Sequence, residues 1–239
     1  MKNSKNFNLF LMDGEVTGRI KCTLSNWTGL AYKVPRSYLE KCKDRQDLKQ
    51  SGVYFLFGKN DDGDNEVYIG QAGIRKNGEG VLFRVTEHLR DEIYFSDAVM
   101  LTTQNNSFGP TEISYLENKF TNMAIEIDRY QVRNENDPNP GNVTEEKESE
   151  LEDFIEYSKM VLGVLGYKIF VPIVNKELKK EDKTDDNEIL YLSTKTKKSE
   201  KKINAKCQIT SEGFVVLKDS MIEPHRLKKL TKEYKRNER

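Results

Sequence analysis

Tyr54 and Tyr68 in two short apolar runs, the pair Arg84 and His88, and Glu117 are side chains in the middle of the chain whose types can do chemistry. Glu117 stands out on physical grounds alone. It lies four residues after Ile113 and three before Phe120, so a helix through this region points it along the apolar stripe. A carboxylate there is costly unless it is paired or binds a metal. The plainer alternative is a stripe-edge glutamate that reaches solvent or an arginine. Arg84 and His88 are four apart, which sets them side by side on one helix face. Imidazole and phenol are proton-transfer groups, guanidinium binds anions and a desolvated carboxylate binds cations. Each group also has a bland reading: tyrosine is common in strands, and His88 fits an exposed helix position.

The elements that must position these groups follow from local pattern. In "GVYFLFGKNDDGDNEVYIG", residues 52–70, two aromatic and β-branched runs flank the turn segment "KNDDGDN", which predicts a hairpin. The first run is apolar on both faces, as in a central strand. With the loop symmetric about Asp62, Tyr54 opposes Gly70 and Leu56 opposes Tyr68, so both tyrosines share one face as diagonal neighbours. Leu82, Val85, Leu89 and Ile93 predict a helix over 80–95. Ile113, Leu116, Phe120, Met123/Ala124 and Ile127 predict a second over 111–127, with Thr111 as N-cap.

Upstream, a β-like run, the turn segment "DGEVTG" and "NWTGLAYKVPRSYLEKC" predict an N-terminal β-rich extension over 1–50, ending in a strand, a Pro-marked boundary and a short helix. Downstream, Leu151, Phe154/Ile155, Ser158, Val161/Leu162 and Leu165 predict another amphipathic helix, followed by a strand at "GYKIFVPI". These close a central domain over 51–172. Residues 173–188 form a charged linker, and 189–239 a small unit with β-like runs at "ILYLS", "AKCQIT" and "GFVVLKD" and a basic tail. The predicted class is α+β: a small mixed β-sheet flanked by helices, with the N-terminal extension and a C-terminal β-containing unit.

Composition bounds the function. The 239 residues carry 39 Lys/Arg and 39 Asp/Glu, yet the charge is uneven. Residues 1–50 hold 10 basic against 5 acidic side chains, 51–140 hold 8 against 15, and 195–239 hold 14 against 6. An acidic centre between basic ends suits a metal-using centre with nucleic-acid-gripping flanks, and equally a set of solvated surfaces. Cys22, Cys42 and Cys207 have no CxxC spacing, which argues against a disulfide framework or a zinc site. Two histidines exclude a His-rich metal site. The absence of a membrane-length apolar run or a signal-peptide core predicts a soluble, cytoplasmic chain. No phosphate-binding Gly-rich motif suggests nucleotide-fuelled translocation.

Gly52-Val53-Tyr54 and Tyr68-Ile69-Gly70 resemble the paired signatures of the GIY-YIG endonuclease superfamily, with Val replacing the first Ile. Their order strengthens the resemblance: hairpin, then a helix with Arg84 and His88, then a helix with Glu117. It covers about residues 51–136. "AKCQITSEGFVVLKDSMI" is similar to a short C-terminal domain of unknown function found in bacterial GIY-YIG proteins, and the unit ends early, as in a shortened chain. The resemblance implies a metal-dependent endonuclease that hydrolyses nucleic-acid phosphodiester bonds, with DNA the expected substrate. It implies Mg²⁺ or Mn²⁺ on Glu117, Arg84 on the phosphate, and Tyr54 as general base beside Tyr68. The base role requires a lowered phenol pKa. His88 would relay a proton or position the water. Asn134, with Asn136 as rival, would be the site asparagine. Arg75, Lys76 and the basic ends would grip nucleic acid, alone or through a homo-oligomer or partner protein. The alternative is a catalytically quiet module that binds nucleic acid or protein on the same fold. A weaker third expectation is a regulatory or toxin-like protein acting through its C-terminal unit.

Overall fold

A computed structural model describes residues 4–75, 79–90, 94–134, 139–172, 189–196, 199–210 and 213–221. The expected linker at 173–188 and the basic tail after 221 lie outside the described residues. The chain divides into two compact units, Met1–Val171 and Pro172–Arg239.

The first unit is built on one seven-stranded mixed sheet. Its strands are β1 (Phe7–Leu11), β2 (Ile20–Leu24), β3 (Gly29–Pro35), β4 (Gly52–Lys59), β5 (Asn65–Ala72), β6 (Asp97–Thr103) and β7 (Gln131–Val132). They lie in the order β1-β2-β3-β6-β4-β5-β7, antiparallel except for the parallel β5–β7 pair. The N-terminal strands therefore continue the sheet that holds the hairpin. The joint is β6, which pairs with β3 on one side and β4 on the other. Its apolar run "AVML" lacks the alternation that flags a strand from sequence, because both faces are covered.

Helices α1 (Val81–Glu87), α2 (Pro110–Ile127) and α3 (Glu145–Val164) cover the sheet. The α2 and α3 stripes pack on Val53, Phe55, Phe57, Val67 and Ile69. On the opposite face α1 and two short 3₁₀ segments, Arg36–Cys42 and Gln46–Leu48, bury Leu39, Leu48, Val81, Leu82 and Val85 against Tyr54 and Leu56. A sheet covered on both sides explains why β4 is apolar at six consecutive positions.

Three local expectations are corrected. The first helix does not run to residue 95: it stops at Glu87, and Phe95 is fully buried in the approach to β6, while Ile93 lies outside the described residues. The second helix is capped at Gly109, not Thr111; Pro110 sits at its first position and the Glu112 carboxylate accepts from the Gly109 N–H at 3.0 Å. Among the described residues 167–172 there is no strand; Ile169 and Phe170 enter the core from a turn. The third helix follows its expected face, burying Leu151, Phe154, Ile155, Ser158, Val161 and Leu162, with Thr144 as its N-cap.

The second unit contains a three-stranded antiparallel sheet, β8 (Ile189–Thr196), β9 (Ser199–Thr210) and β10 (Gly213–Val216), in the order β10-β9-β8.

Candidate functional site

The site forms where the β4–β5 hairpin meets the end of α1. In the hairpin Tyr54 opposes Gly70 and Leu56 opposes Tyr68, the register expected from the loop's symmetry. Both tyrosines therefore face α1. Gly70 is what lets Tyr54 lie across the neighbouring strand: a Cβ at position 70 would come within 2.4 Å of the Tyr54 Cζ and hydroxyl oxygen. Gly52 answers a similar demand, since a Cβ there would sit 2.4 Å from the Leu101 carbonyl oxygen.

His88 follows the last residue of α1 and is buried. Its Nε2 lies 2.8 Å from the Tyr54 hydroxyl oxygen. The three rings form a cluster, with centroids 6.2 Å apart for Tyr54–Tyr68, 5.6 Å for Tyr54–His88 and 5.1 Å for Tyr68–His88. Burial, reinforced by Tyr68, pushes the Tyr54 phenol well above its ordinary range, with Arg84 opposing. Burial, then the Glu117 charge, raises Tyr68 as well. The shift runs opposite to the lowered pKa a phenolate base would require. Tyr54 is held toward its protonated form, and its hydroxyl shares with His88 Nε2 a hydrogen bond whose direction depends on the imidazole tautomer.

Arg84 projects from α1 one turn before His88. Its charge acts on both tyrosines, and its Nη1 donates to Glu87 Oε2 at 3.1 Å. Arg75 binds the same carboxylate through Nη1 to Oε1 at 2.9 Å and Nη2 to Oε2 at 2.8 Å. Lys76, paired with Arg75 in the sequence reading, lies outside the described residues.

Glu117 comes from the other side of the hairpin. Gln71, one residue beyond Gly70 and so of opposite parity to Tyr68, donates Nε2 to Glu117 Oε2 at 2.9 Å and to Ser114 Oγ at 3.0 Å. The Ser114 hydroxyl donates in turn to Gln71 Oε1 at 3.3 Å. Glu117 is neither fully buried nor free in solvent. Burial raises its carboxyl pKa, with the Gln71 hydrogen bonds and the Arg84 charge opposing. Its charge acts on Tyr54 and Tyr68, so the acidic and aromatic groups share one electrostatic neighbourhood although they stand on opposite faces of β5.

Asn134 follows β7 closely and spends its amide on the β5 edge: Nδ2 donates to the Ile69 carbonyl at 2.7 Å and Oδ1 accepts from the Ile69 N–H at 3.1 Å. It thus pins the residue between Tyr68 and Gly70, as a paired strand would. Its rival Asn136 lies outside the described residues.

Among the described residues no group of three or more His, Cys, Asp and Glu side chains is placed to hold a metal ion. The donor present is one partly desolvated carboxylate, hard oxygen chemistry that fits a Mg²⁺- or Mn²⁺-type cation retaining most of its waters and not a nitrogen- or sulfur-seeking metal. Gln71, Ser114 and Glu87 were missed in the sequence. Gln71 and Ser114 carried a readable signal, one by its strand parity and the other three residues before Glu117 on the same helix face.

The concavities described in this unit lie elsewhere, among them one of about 490 Å³ beside Lys21, Asp47 and Gln104, one of about 470 Å³ beside Trp27, Phe108 and Tyr157, and one of about 420 Å³ beside Lys59, Asp128 and Tyr130. Among the described residues no helix is long and apolar enough to cross a membrane. In comparisons with known proteins, no family model, curated protein or solved structure matched the chain.

Proposed function

We propose that this chain is an endonuclease that hydrolyses nucleic-acid phosphodiester bonds, DNA first among them, with a divalent cation held at Glu117. The observation that carries the reading is the Tyr54–His88 contact at 2.8 Å within reach of the charges of Arg84 and Glu117. In-line attack on a phosphodiester needs a proton acceptor for the water and positive charge at the phosphoryl oxygens. His88 Nε2 is the acceptor: as the water is deprotonated at the Tyr54 oxygen, the Tyr54 proton passes to the imidazole. Two proton shifts then relieve Tyr54 of becoming a free phenolate. Tyr68 packs against both rings and screens the pair from bulk water. Arg84 supplies a planar guanidinium for the phosphoryl oxygens. A hard divalent cation on Glu117 would supply further neutralisation of developing negative charge.

The second reading, a catalytically quiet nucleic-acid- or protein-binding module, is favoured by one observation: Tyr54 is 1% exposed. The deciding test is cleavage of supercoiled DNA, branched DNA and RNA with Mg²⁺ or Mn²⁺. Glu117→Ala, His88→Ala and Tyr54→Phe are each expected to lower the rate by about 10²–10⁴-fold. A wild type that cuts nothing, or a Glu117→Ala variant that cuts normally, removes the catalytic reading and leaves the binding module.

A further inference from the structure

Glu87 is out of place by the usual logic of a helix. It is the last residue of α1, where the backbone carbonyls already present negative charge and a carboxylate is disfavoured. What holds it there is a pair of arginines. One of its oxygens, Oε2, accepts from Arg75 Nη2 at 2.8 Å and from Arg84 Nη1 at 3.1 Å, while Oε1 accepts from Arg75 Nη1 at 2.9 Å. Two guanidinium groups thus converge on a single small anion.

The seat has supports of its own. Arg75 Cζ stands 4.8 Å from the Phe83 ring centroid, and the Arg75 backbone N–H donates to the Glu79 carbonyl at 2.7 Å. Arg84 is fixed on α1 beside the tyrosine cluster. All three charged side chains are open to solvent, with 46% of the Arg75, 39% of the Arg84 and 33% of the Glu87 side chain exposed. An anion arriving from solution can therefore reach both guanidiniums, and an exposed ion pair of this kind is inexpensive to separate. A phosphodiester carries one negative charge, as the carboxylate does, and its oxygens suit the same forked donors.

We propose that Arg75 and Arg84 form a two-arginine seat for one backbone phosphate of a nucleic acid, and that Glu87 occupies this seat as an internal phosphate mimic until substrate displaces it. The proposal rests on the nucleic-acid reading above for the source of the phosphate. The seat itself rests on the geometry alone. Glu87 then acts as a brake on affinity and as a selector against anions too weak to expel it.

The test is equilibrium binding of a short fluorescent duplex oligonucleotide, in chelator so that no cleavage intervenes. The full-length wild type is compared with Glu87→Gln and with Asp153→Asn, which removes the same charge from an exposed position on α3. Glu87→Gln is expected to tighten binding about tenfold, while Asp153→Asn changes it by less than about twofold. Adding Arg75→Gln to Glu87→Gln is expected to abolish the gain. Titration with inorganic phosphate provides the second arm. If Glu87→Gln gains phosphate binding but no variant binds duplex DNA or RNA, the seat stands and the nucleic-acid reading falls. If Glu87→Gln is no tighter than Asp153→Asn for both probes, or if its gain survives loss of Arg75, the proposal is overturned.

Discussion

On the α1 side of the hairpin the reactive groups are aromatic and tightly enclosed, with Tyr54 and His88 buried and in direct contact. On the α2 side the one carboxylate is half-buried and is held by an amide and, through it, a hydroxyl. The first arrangement fixes position by shape: ring against ring, with a glycine cut out to admit one of them. The second fixes it by hydrogen bonds that can be exchanged. On the reading proposed above, a proton-transfer pair has to stay at contact distance, whereas a cation ligand has to accept and release a partner. The difference teaches that precision at this site comes from packing on one face and from polar clamping on the other.

The comparison is tested most severely where the acid side depends on packing of its own. Phe120 is fully buried on α2, three residues from Glu117, with its ring 5.2 Å from Phe55 and 5.6 Å from Phe170. Phe120→Ala is expected to lower stability by about 3–5 kcal/mol in urea denaturation, through lost burial and the cavity left behind. A loss below about 1 kcal/mol would mean that α2 is not anchored by this stack.

Gly70→Ala probes the aromatic side. The added methyl group would collide with the Tyr54 ring, and overpacking of this kind costs about 1–3 kcal/mol. In a Tyr54→Ala background the penalty is expected to vanish, because the colliding atoms are gone. A thermal-unfolding cycle over the four proteins checks this, and equal Gly70→Ala effects in both backgrounds would break the link between the two residues.

These two residues also show how far the sequence could be read. The register that sets Gly70 against Tyr54 followed from one turn segment and the period of two, because a hairpin is a local object. The α2 stripe was equally legible, since Ile113, Leu116 and Phe120 repeat within one helix. The strand β6 was not. Its apolar run, residues 98–101, lacks alternation, and its partners β3 and β4 lie tens of residues away in the chain. Without β6, the N-terminal β-rich extension could not be joined to the hairpin, and β6 is what links β1, β2 and β3 into its sheet. At the site, Glu117 could be singled out from its place in the α2 stripe, while Tyr54, Tyr68, Arg84 and His88 were named as a set only through the family resemblance. The upward displacement of the Tyr54 pKa could not, because burial is a property of the assembled sheet and α1. Nor could the Arg75–Glu87–Arg84 convergence be read, since it depends on where the segment after β5 returns to α1.

The polar clamp is expected to answer more softly than the packed face. Gln71→Ala removes the donor to Glu117 and to Ser114, at a cost of about 0.5–1.5 kcal/mol. Its more specific signature is electrostatic. The hydrogen bond from Gln71 opposes the effect of burial on Glu117, so its loss raises the carboxyl pKa further, readable by side-chain carbon NMR. An unchanged or lowered Glu117 pKa in Gln71→Ala would show that the amide does not hold the carboxylate in solution.

The smallest effect carries the sharpest sign. The folded-state pKa of Glu117 is raised above its usual 4.5, with burial as the largest cause. The folded state therefore binds a proton that the unfolded chain has already released. That favourable contribution is complete below the unfolded pKa and is lost as pH rises from about 4.5 through the folded value. At neutral pH the ionised carboxylate is thus a liability to the fold, and Glu117→Gln is expected to stabilise it by less than about 1 kcal/mol after solvent screening. The gain should shrink as the pH of a denaturation series falls toward about 4.5, where wild type and variant converge. A variant less stable than wild type at neutral pH would mean that Gln71 and Arg84 outweigh burial. Glu117 would then serve the fold as an ordinary ion-paired side chain, and it would lose its claim to be a carboxylate kept at a cost for binding a cation.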